Sequence, residues 1–318
     1  MRVEVLVATM NRETPDFIEA MNLQTDAVII NQCGKVDYVA IEKDEQHIKF
    51  ISFDEKGLSK SRNRALEAAQ GDICLIADDD VNYIDNYEDK ILETYKEYPD
   101  ADIIAFQVTR IGKIRTKRFR SEPHVENWFS CMKIGSVEIT FKRKSILDRG
   151  IKFDTLFGAG AKYFNGEENI FLYDCLRQKM KIVYVPILIG SVFCEVSTWF
   201  NGYNEEFFRC MGAGYYGLSK KWSYVLIGQH LIRRYKLYKE NARSECKKTI
   251  RERTREESFF VIGDFVSEVG PGIVNKNLMN ILPKQTMYSV AKSKLTRILE
   301  LSIKMRKCEV IIFSGLSY

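Results

Sequence analysis

The chain has 318 residues, 45% of them apolar and 12% aromatic, and its net charge is only +5. A chain of this size buries one large core, or a medium core with an extension, and the composition excludes disordered and fibrous classes. Its longest uncharged apolar run, Ile182 to Cys194, has 13 residues and contains Pro186, whereas a membrane-spanning helix needs about 20. The opening run, Arg2 to Val7, is charged and strand-like rather than a basic tip with an apolar core, so the expected compartment is the cytoplasm. None of the eight cysteines forms a CxxC pair, which argues against a zinc ribbon or a thioredoxin-type site. Cys74 and Cys175 sit in apolar patterns, as inert core thiols do.

The apolar patterning predicts alternating strands and helices. Val3 to Ala8 reads as a buried strand. Pro15 to Met21 reads as a helix with Thr14 as its cap. Val28 to Ile30 and Ile48 to Phe53 are strands. Leu58 to Ala69 is a helix ended by Gly71. Ile73 to Ala77 is a strand running into three aspartates, Ile84 to Tyr98 an amphipathic helix, and Ile103 to Val108 a further strand. Later come an exposed basic hairpin or loop at Arg110 to Arg120, a strand at Val137 to Phe141, a loop marked by Gly158 and Gly160, a helix at Glu167 to Lys179 and a strand at Lys181 to Val185. This order predicts an α/β domain with a mostly parallel central sheet. Ligands bind at the carboxyl ends of such strands, which points to the loops at 9–12, 31–37 and 78–80.

Two segments carry chemistry. In Ile76-Ala77-Asp78-Asp79-Asp80-Val81 three carboxylates crowd a strand end. A divalent cation, Mn²⁺ or Mg²⁺, with bound phosphates would relieve that repulsion; an acidic turn capping the next helix is the structural alternative. In Gly57-Leu58-Ser59-Lys60-Ser61-Arg62-Asn63-Arg64-Ala65-Leu66 a glycine turn leads into a helix with three basic residues. That arrangement suits phosphate, and an ordinary basic surface helix is the alternative.

Taken in order, Thr9-Met10-Asn11-Arg12, Gly-Leu-Ser-x-x-Arg-Asn-x-Ala-Leu, Gly71-Asp72-Ile73 with the aspartates, Phe157-Gly158-Ala159-Gly160 and Gly166-Glu167-Glu168-Asn169 resemble glycosyltransferase family 2 through roughly Val3 to Phe200. Ser197-Thr198-Trp199-Phe200 is similar to bacterial polysaccharide-making members. The resemblance implies a GT-A, Rossmann-like fold and inverting sugar transfer from a nucleotide diphosphate, UDP by family frequency. It further implies that Thr9, Asn11 and Arg12 line the nucleotide site and that Arg62 contacts base or pyrophosphate. Asp78 and Asp79 would hold ribose and metal, with Asp78, Asp79 and Asp80 as candidate metal ligands. Glu168, ahead of Glu167, would be the general base. The sequence departs from the family in three places. The usual Asp-x-Asp-Asp is Ala77-Asp78-Asp79-Asp80. The loop that reads the base is Asn31-Gln32-Cys33-Gly34-Lys35-Val36-Asp37, leaving Asn31 or Gln32 for that task. Cys194-Glu195 stands where some members place a metal-binding histidine.

The expected organisation is a catalytic domain at 1–200, a basic aromatic helical extension at 201–255 and a C-terminal segment of unassigned role at 256–318. Six Lys/Arg and no acids lie between Arg110 and Arg120, and twelve Lys/Arg against four Glu between Leu218 and Glu256. The aromatic and basic stretch Phe207 to Tyr238 reads as a membrane-surface helix, which suits a saccharide or lipid-linked acceptor at the inner face of the cell membrane. A nucleotidyltransferase would need a glycine-rich loop after the first strand, and 9–16 has no glycine. A non-catalytic scaffold subunit would not need both acid clusters. Nucleic-acid binding would need a basic groove without an acidic floor.

Overall fold

The computed structural model describes residues 1–43, 45–112, 117–193, 202–235 and 238, and three later strands. Lys113, Arg115, Cys194, Glu195, the Ser197–Phe200 motif and residues 239–255 lie outside the described residues. The chain divides into two compact units, Met1–Phe200 and Asn201–Tyr318.

The first unit is built on a ten-stranded mixed sheet. Four parallel strands form its centre, in spatial order β4 (Gln46–Phe53), β2 (Asp26–Gln32), β1 (Val3–Met10) and β5 (Ile73–Asp78). Helical crossovers follow two of them, α1 (Phe17–Met21) after β1 and α2 (Leu58–Ala68) after β4, while an outer strand connects β2 to β4. The β1 residues Val3 to Thr9 are all buried, as expected of a parallel strand covered on both faces. Beyond β5 the short strand β9 (Ile139–Lys142) runs antiparallel between β5 and β7 (Ile103–Ile111). β10 (Ile182–Phe193) is parallel to β7, and β6 (Val81–Tyr83) and β8 (His124–Val125) pair antiparallel with β10. α3 (Tyr87–Glu97), α4 (Arg143–Asp148) and α5 (Glu167–Arg177) complete the unit. This is the GT-A, Rossmann-like arrangement.

Local chemistry explains where elements differ from the sequence expectation. α1 starts at Phe17 with Asp16 as its cap residue, and the Thr14 hydroxyl donates to the Asp16 carboxylate instead of capping the helix. α3 starts at Tyr87, because Val81–Tyr83 is drawn into the sheet by β10. The aspartates therefore do not cap α3; its cap residue is Asn86. β3 (Asp37–Lys43), largely exposed, forms a hairpin edge on β4. β10 continues past Pro186 through a register irregularity between Tyr184 and Leu188, the kind of place where a sheet tolerates proline.

One buried carboxylate ties the sheet's centre together. Glu4 on β1 accepts backbone N–H bonds from Gln70 at 2.5 Å and Gly71 at 2.6 Å, with Lys49 Nζ 3.8 Å from its other oxygen. These bonds fix the turn between α2 and β5, and so the height at which β5 delivers its aspartates.

The second unit contains α6 (Glu205–Leu218), a helical stretch at 223–235 and a parallel sheet in the order β12-β11-β13, formed by β11 (Phe259–Gly263), β12 (Gln285–Ser289) and β13 (Val310–Ser314). Their separations of about twenty residues leave room for the crossovers that parallel strands need.

A methyl group at Gly71 would lie 2.6 Å from Glu4 Cβ, an atom fixed to the backbone of β1. Gly71→Ala is therefore expected to cost about 1–3 kcal/mol. Urea unfolding checks this, and an unchanged midpoint would show that the turn yields freely.

Candidate active site

The carboxyl ends of β1, β2 and β5 lie side by side, with Thr9 opposite Asn31 and Ala8 opposite Asp78. After β1 the chain turns through Asn11, whose φ of 54° is left-handed, a conformation asparagine tolerates. The turn presents Arg12, which donates through Nε (3.0 Å) and Nη2 (2.8 Å) to Asp79 Oδ2. The Thr9 hydroxyl donates to the same oxygen at 2.5 Å. Thr9, Arg12 and Asp79 thus form one charge-assisted cluster at the rim.

Asn31 and Gln32 stand beneath this rim as braces. Asn31 is 0% exposed. It accepts from the Arg12 backbone N–H at 3.1 Å and donates to the Arg12 carbonyl at 2.8 Å. Gln32 makes the same paired contact with the backbone of Gly57, at 2.9 and 3.2 Å. Both amides hydrogen-bond to backbone: Asn31 braces Arg12, and Gln32 braces the start of α2.

α2 organises the other half of the site. Ser59, Arg62 and Asn63 fall at helical spacing on one face. The Ser59 hydroxyl donates to the Phe157 carbonyl at 2.7 Å. Asn63 clamps the Phe153 backbone, donating at 2.9 Å and accepting at 2.8 Å. Between them Arg62 is only 2% exposed. It donates through Nη1 to Glu167 at 3.0 Å and through Nη2 to Asp78 at 3.3 Å, and its guanidinium lies over the Phe153 ring. Burial alone would lower its pKa, but Asp78, Glu167 and Glu168 outweigh burial and hold it above the ordinary value. Arg62 is thus an internal strut between β5 and α5. Gly158, at φ 102°, lets the following loop pass close to this junction; a Cβ there would lie 3.3 Å from Leu58 Cβ and 3.4 Å from Glu167 Cδ.

α5 begins after Gly166, whose left-handed backbone turns the chain so that Glu167 and Glu168 occupy the first helical turn. There their negative charge meets the positive end of the helix dipole. Glu167 is buried and paired with Arg62. Glu168 accepts from Asn169 Nδ2 at 3.1 Å. Burial, then the Glu167 charge, push its carboxyl up to about 7. Such a group changes protonation near neutrality, as a general base requires. Asn169 contributes a buried Oδ1 without a hydrogen-bond partner, directly beside this carboxylate.

The aspartates are individually engaged: Asp78 by Arg62, Asp79 by Thr9 and Arg12. The Asp80 carboxyl is pushed up to about 6 by burial and by its two acidic neighbours. Among the described residues no three His, Cys, Asp or Glu side chains converge into a metal-binding group. Sequence reasoning missed Ser59, Asn63 and Asn169 as site residues, although all three lie inside motifs it had singled out.

A sequence model of the family described as Glycosyl transferase family 2 matches residues 5–162. No curated protein matches the chain. The fold is similar to that of S. aureus TarS 1–349 in complex with UDP-GlcNAc, with a TM-score of 0.52 at 14% identity over 76% of this chain and 75% of that one. The same TarS fragment in complex with UDP gives a TM-score of 0.50 at 15% identity over 76% and 74%.

Removing the strut would leave Glu167 buried and unpaired. Arg62→Met, which keeps most of the volume, is expected to cost about 3–5 kcal/mol, measured by urea unfolding at pH 7. A loss below about 1 kcal/mol would mean that Arg62 is not holding these carboxylates.

Proposed function

The chain belongs to glycosyltransferase family 2 through its N-terminal unit, and on that premise we propose an inverting transfer of a hexose or amino sugar from a UDP-sugar to a saccharide or lipid-linked acceptor. The observation that carries the mechanism is the division between the two glutamates. Glu167 is held by Arg62, whereas Glu168, without that partner, sits near neutral pKa beside the aspartate rim. Glu168 takes the proton of the acceptor hydroxyl. The acceptor oxygen then bonds to the anomeric carbon from the face opposite the diphosphate. The bond from that carbon to the diphosphate oxygen breaks, and its electron pair leaves with UDP. No covalent enzyme intermediate is needed. The binding of UDP-GlcNAc by a protein of similar fold, TarS, supports a UDP-sugar donor.

A divalent cation, Mn²⁺ or Mg²⁺, fits the donor set on one condition. With Asp79 engaged by Arg12 and Thr9 and one oxygen of Asp78 engaged by Arg62, Asp80 and the other oxygen of Asp78 are left to approach it, too few for a cage made by protein alone. Mg²⁺ commonly binds through one or two carboxylates plus substrate phosphates. The diphosphate would complete the shell, and the bound cation would stabilise charge on the leaving diphosphate. Thr9, Asn11 and Arg12 form the neighbouring rim of the nucleotide site.

In this reading residues 1–200 are the catalytic domain and 201–255 a basic extension that meets the inner face of the cell membrane during cell-surface polysaccharide synthesis. No helix among the described residues is long and apolar enough to cross a membrane.

UDP is expected to raise the melting temperature more with Mn²⁺ than without it, and Asp80→Ala should abolish the Mn²⁺ increment. An increment that survives in Asp80→Ala removes Asp80 from the metal site.

Glu168→Gln should lower turnover by about 10²–10⁴ while UDP binding survives. In the wild type the limb below pH 7 should fall as Glu168 gains its proton. The folded pKa of this carboxyl is raised from 4.5 to about 7, so stability falls as pH rises from about 4.5 to about 7 and levels off above that. Glu168→Gln should therefore be more stable than wild type at pH 8 and nearly equal to it at pH 4. Glu167→Gln should instead lose stability at neutral pH, because it weakens the tie to Arg62. Near-full turnover in Glu168→Gln would place the base elsewhere.

A further inference from the structure

The second unit carries a surface that the transfer chemistry does not use. From Phe207 to Lys239 the chain contains no acidic residue, while Arg209, Lys220, Lys221, Arg233, Arg234, Lys236 and Lys239 are all basic. α6 ends at Leu218, a turn follows, and the chain is helical again at 223–235. The turn is internally fixed. Ser219 Oγ accepts the Trp222 backbone N–H at 3.3 Å, and the buried Ser223 donates through Oγ to the Lys220 carbonyl at 3.1 Å. Beneath it, His230 is held between the Tyr215 and Tyr238 hydroxyls at 2.7 and 2.5 Å.

Despite this ordered support, the large side chains at the tip point outward. Tyr216 is 53% and Trp222 55% exposed. Each lies beside a lysine ammonium, Lys220 over Tyr216 at 6.0 Å and Lys221 over Trp222 at 5.7 Å. Exposed aromatic rings on a rigid turn carry a hydration cost unless an interface covers them. Tyr and Trp with flanking lysines suit the boundary between lipid headgroups and acyl chains: the rings enter the boundary, and the ammonium groups stay among phosphates. A protein partner with mixed charge would not select for an acid-free stretch of this length.

We propose that this helical turn, with Tyr216, Lys220, Lys221 and Trp222 at its tip, docks the chain onto an anionic phospholipid surface. The proposal deepens the membrane contact inferred above and rests on that reading, but it requires no sugar donor. Docking is reversible and salt-sensitive, because it combines two rings with a small number of charges.

The test is co-sedimentation of the full chain with vesicles of phosphatidylcholine containing 30% phosphatidylglycerol, set against vesicles of phosphatidylcholine alone. Binding is expected only to the anionic vesicles. The double variant Lys220→Glu, Lys221→Glu should bind at least about 25-fold more weakly, taking about fivefold for each lysine lost. Trp222→Ser should weaken binding while leaving the salt dependence intact. All of these positions are exposed, so folding is not at stake, and stabilisation by UDP should be unchanged in each variant. Failure of the wild type to pellet, equal pelleting with neutral vesicles, or undiminished binding by the variants overturns the proposal. So does tighter binding to a random single-stranded oligonucleotide than to the anionic vesicles. Because the UDP measurement is independent, vesicle failure with intact UDP binding refutes only the docking surface, whereas loss of UDP binding in the wild type refutes the transferase reading.

Discussion

The Arg62 guanidinium is almost wholly removed from water, and its two hydrogen-bonded carboxylates come from segments far apart in the sequence. Asp78 closes β5 and Glu167 opens α5. A buried cation of this kind is tolerable only when its partners are in place, so β5, α2 and α5 must reach their positions together. Ser59 and Asn63, three residues and one residue away from Arg62 on the same helix, fasten Phe157 and Phe153 to that helix. The Gly-Leu-Ser-x-x-Arg-Asn segment is therefore the keystone on which the rim and the loop before α5 both rest.

This strut also gives two adjacent glutamates different chemistry. Both sit in the first turn of α5, where the helix dipole favours negative charge. Glu167 has Arg62 at 3.0 Å, and its charge is neutralised within hydrogen-bond reach. Glu168 lies next to Glu167, so its ionisation is opposed by burial and by a fixed neighbouring charge. Neighbouring residues on a helix point about 100° apart, so one guanidinium does not serve both in the same way. A proton acceptor that titrates near neutrality follows from geometry, without any unusual residue type.

Much of the fold was legible because buried parallel strands are written as apolar runs; the runs at Val3 to Ala8 and Ile73 to Ala77 fall inside β1 and β5. β3 and β6 were not, because their pairing is set by partners: β3 is mostly exposed and β6 has three residues, so neither shows a hydrophobic pattern of its own. The positions of interest in the site were legible, but the task of several was not. Lys60, Arg62 and Arg64 look alike in sequence, as a basic helix face. Only the approach of Glu167, 105 residues away, shows that Arg62 points inward while Arg64 pairs with Glu55 at the surface. The sequence likewise gives no sign that the amides of Asn31 and Gln32 hold the backbone of Arg12 and Gly57. Short polar side chains give no local signal of whether they face ligand or backbone.

In the proposed reaction the aspartate rim links metal and donor. Two of its three carboxylates already have cationic partners, and no protein cage of three ligands is present among the described residues. A cation bound there depends on oxygens that only the diphosphate brings, and the diphosphate, beside three aspartates, depends on a cation to offset repulsion. Each raises the affinity of the site for the other, and by linkage the two enhancements are equal. Once the sugar has moved, the product is still a nucleoside diphosphate with the same oxygens, so this coupling holds UDP as firmly as it held the donor's diphosphate. The interaction that neutralises the leaving group would thus also oppose its departure, and product release would become a step that Arg12, bonded to Asp79, is placed to influence.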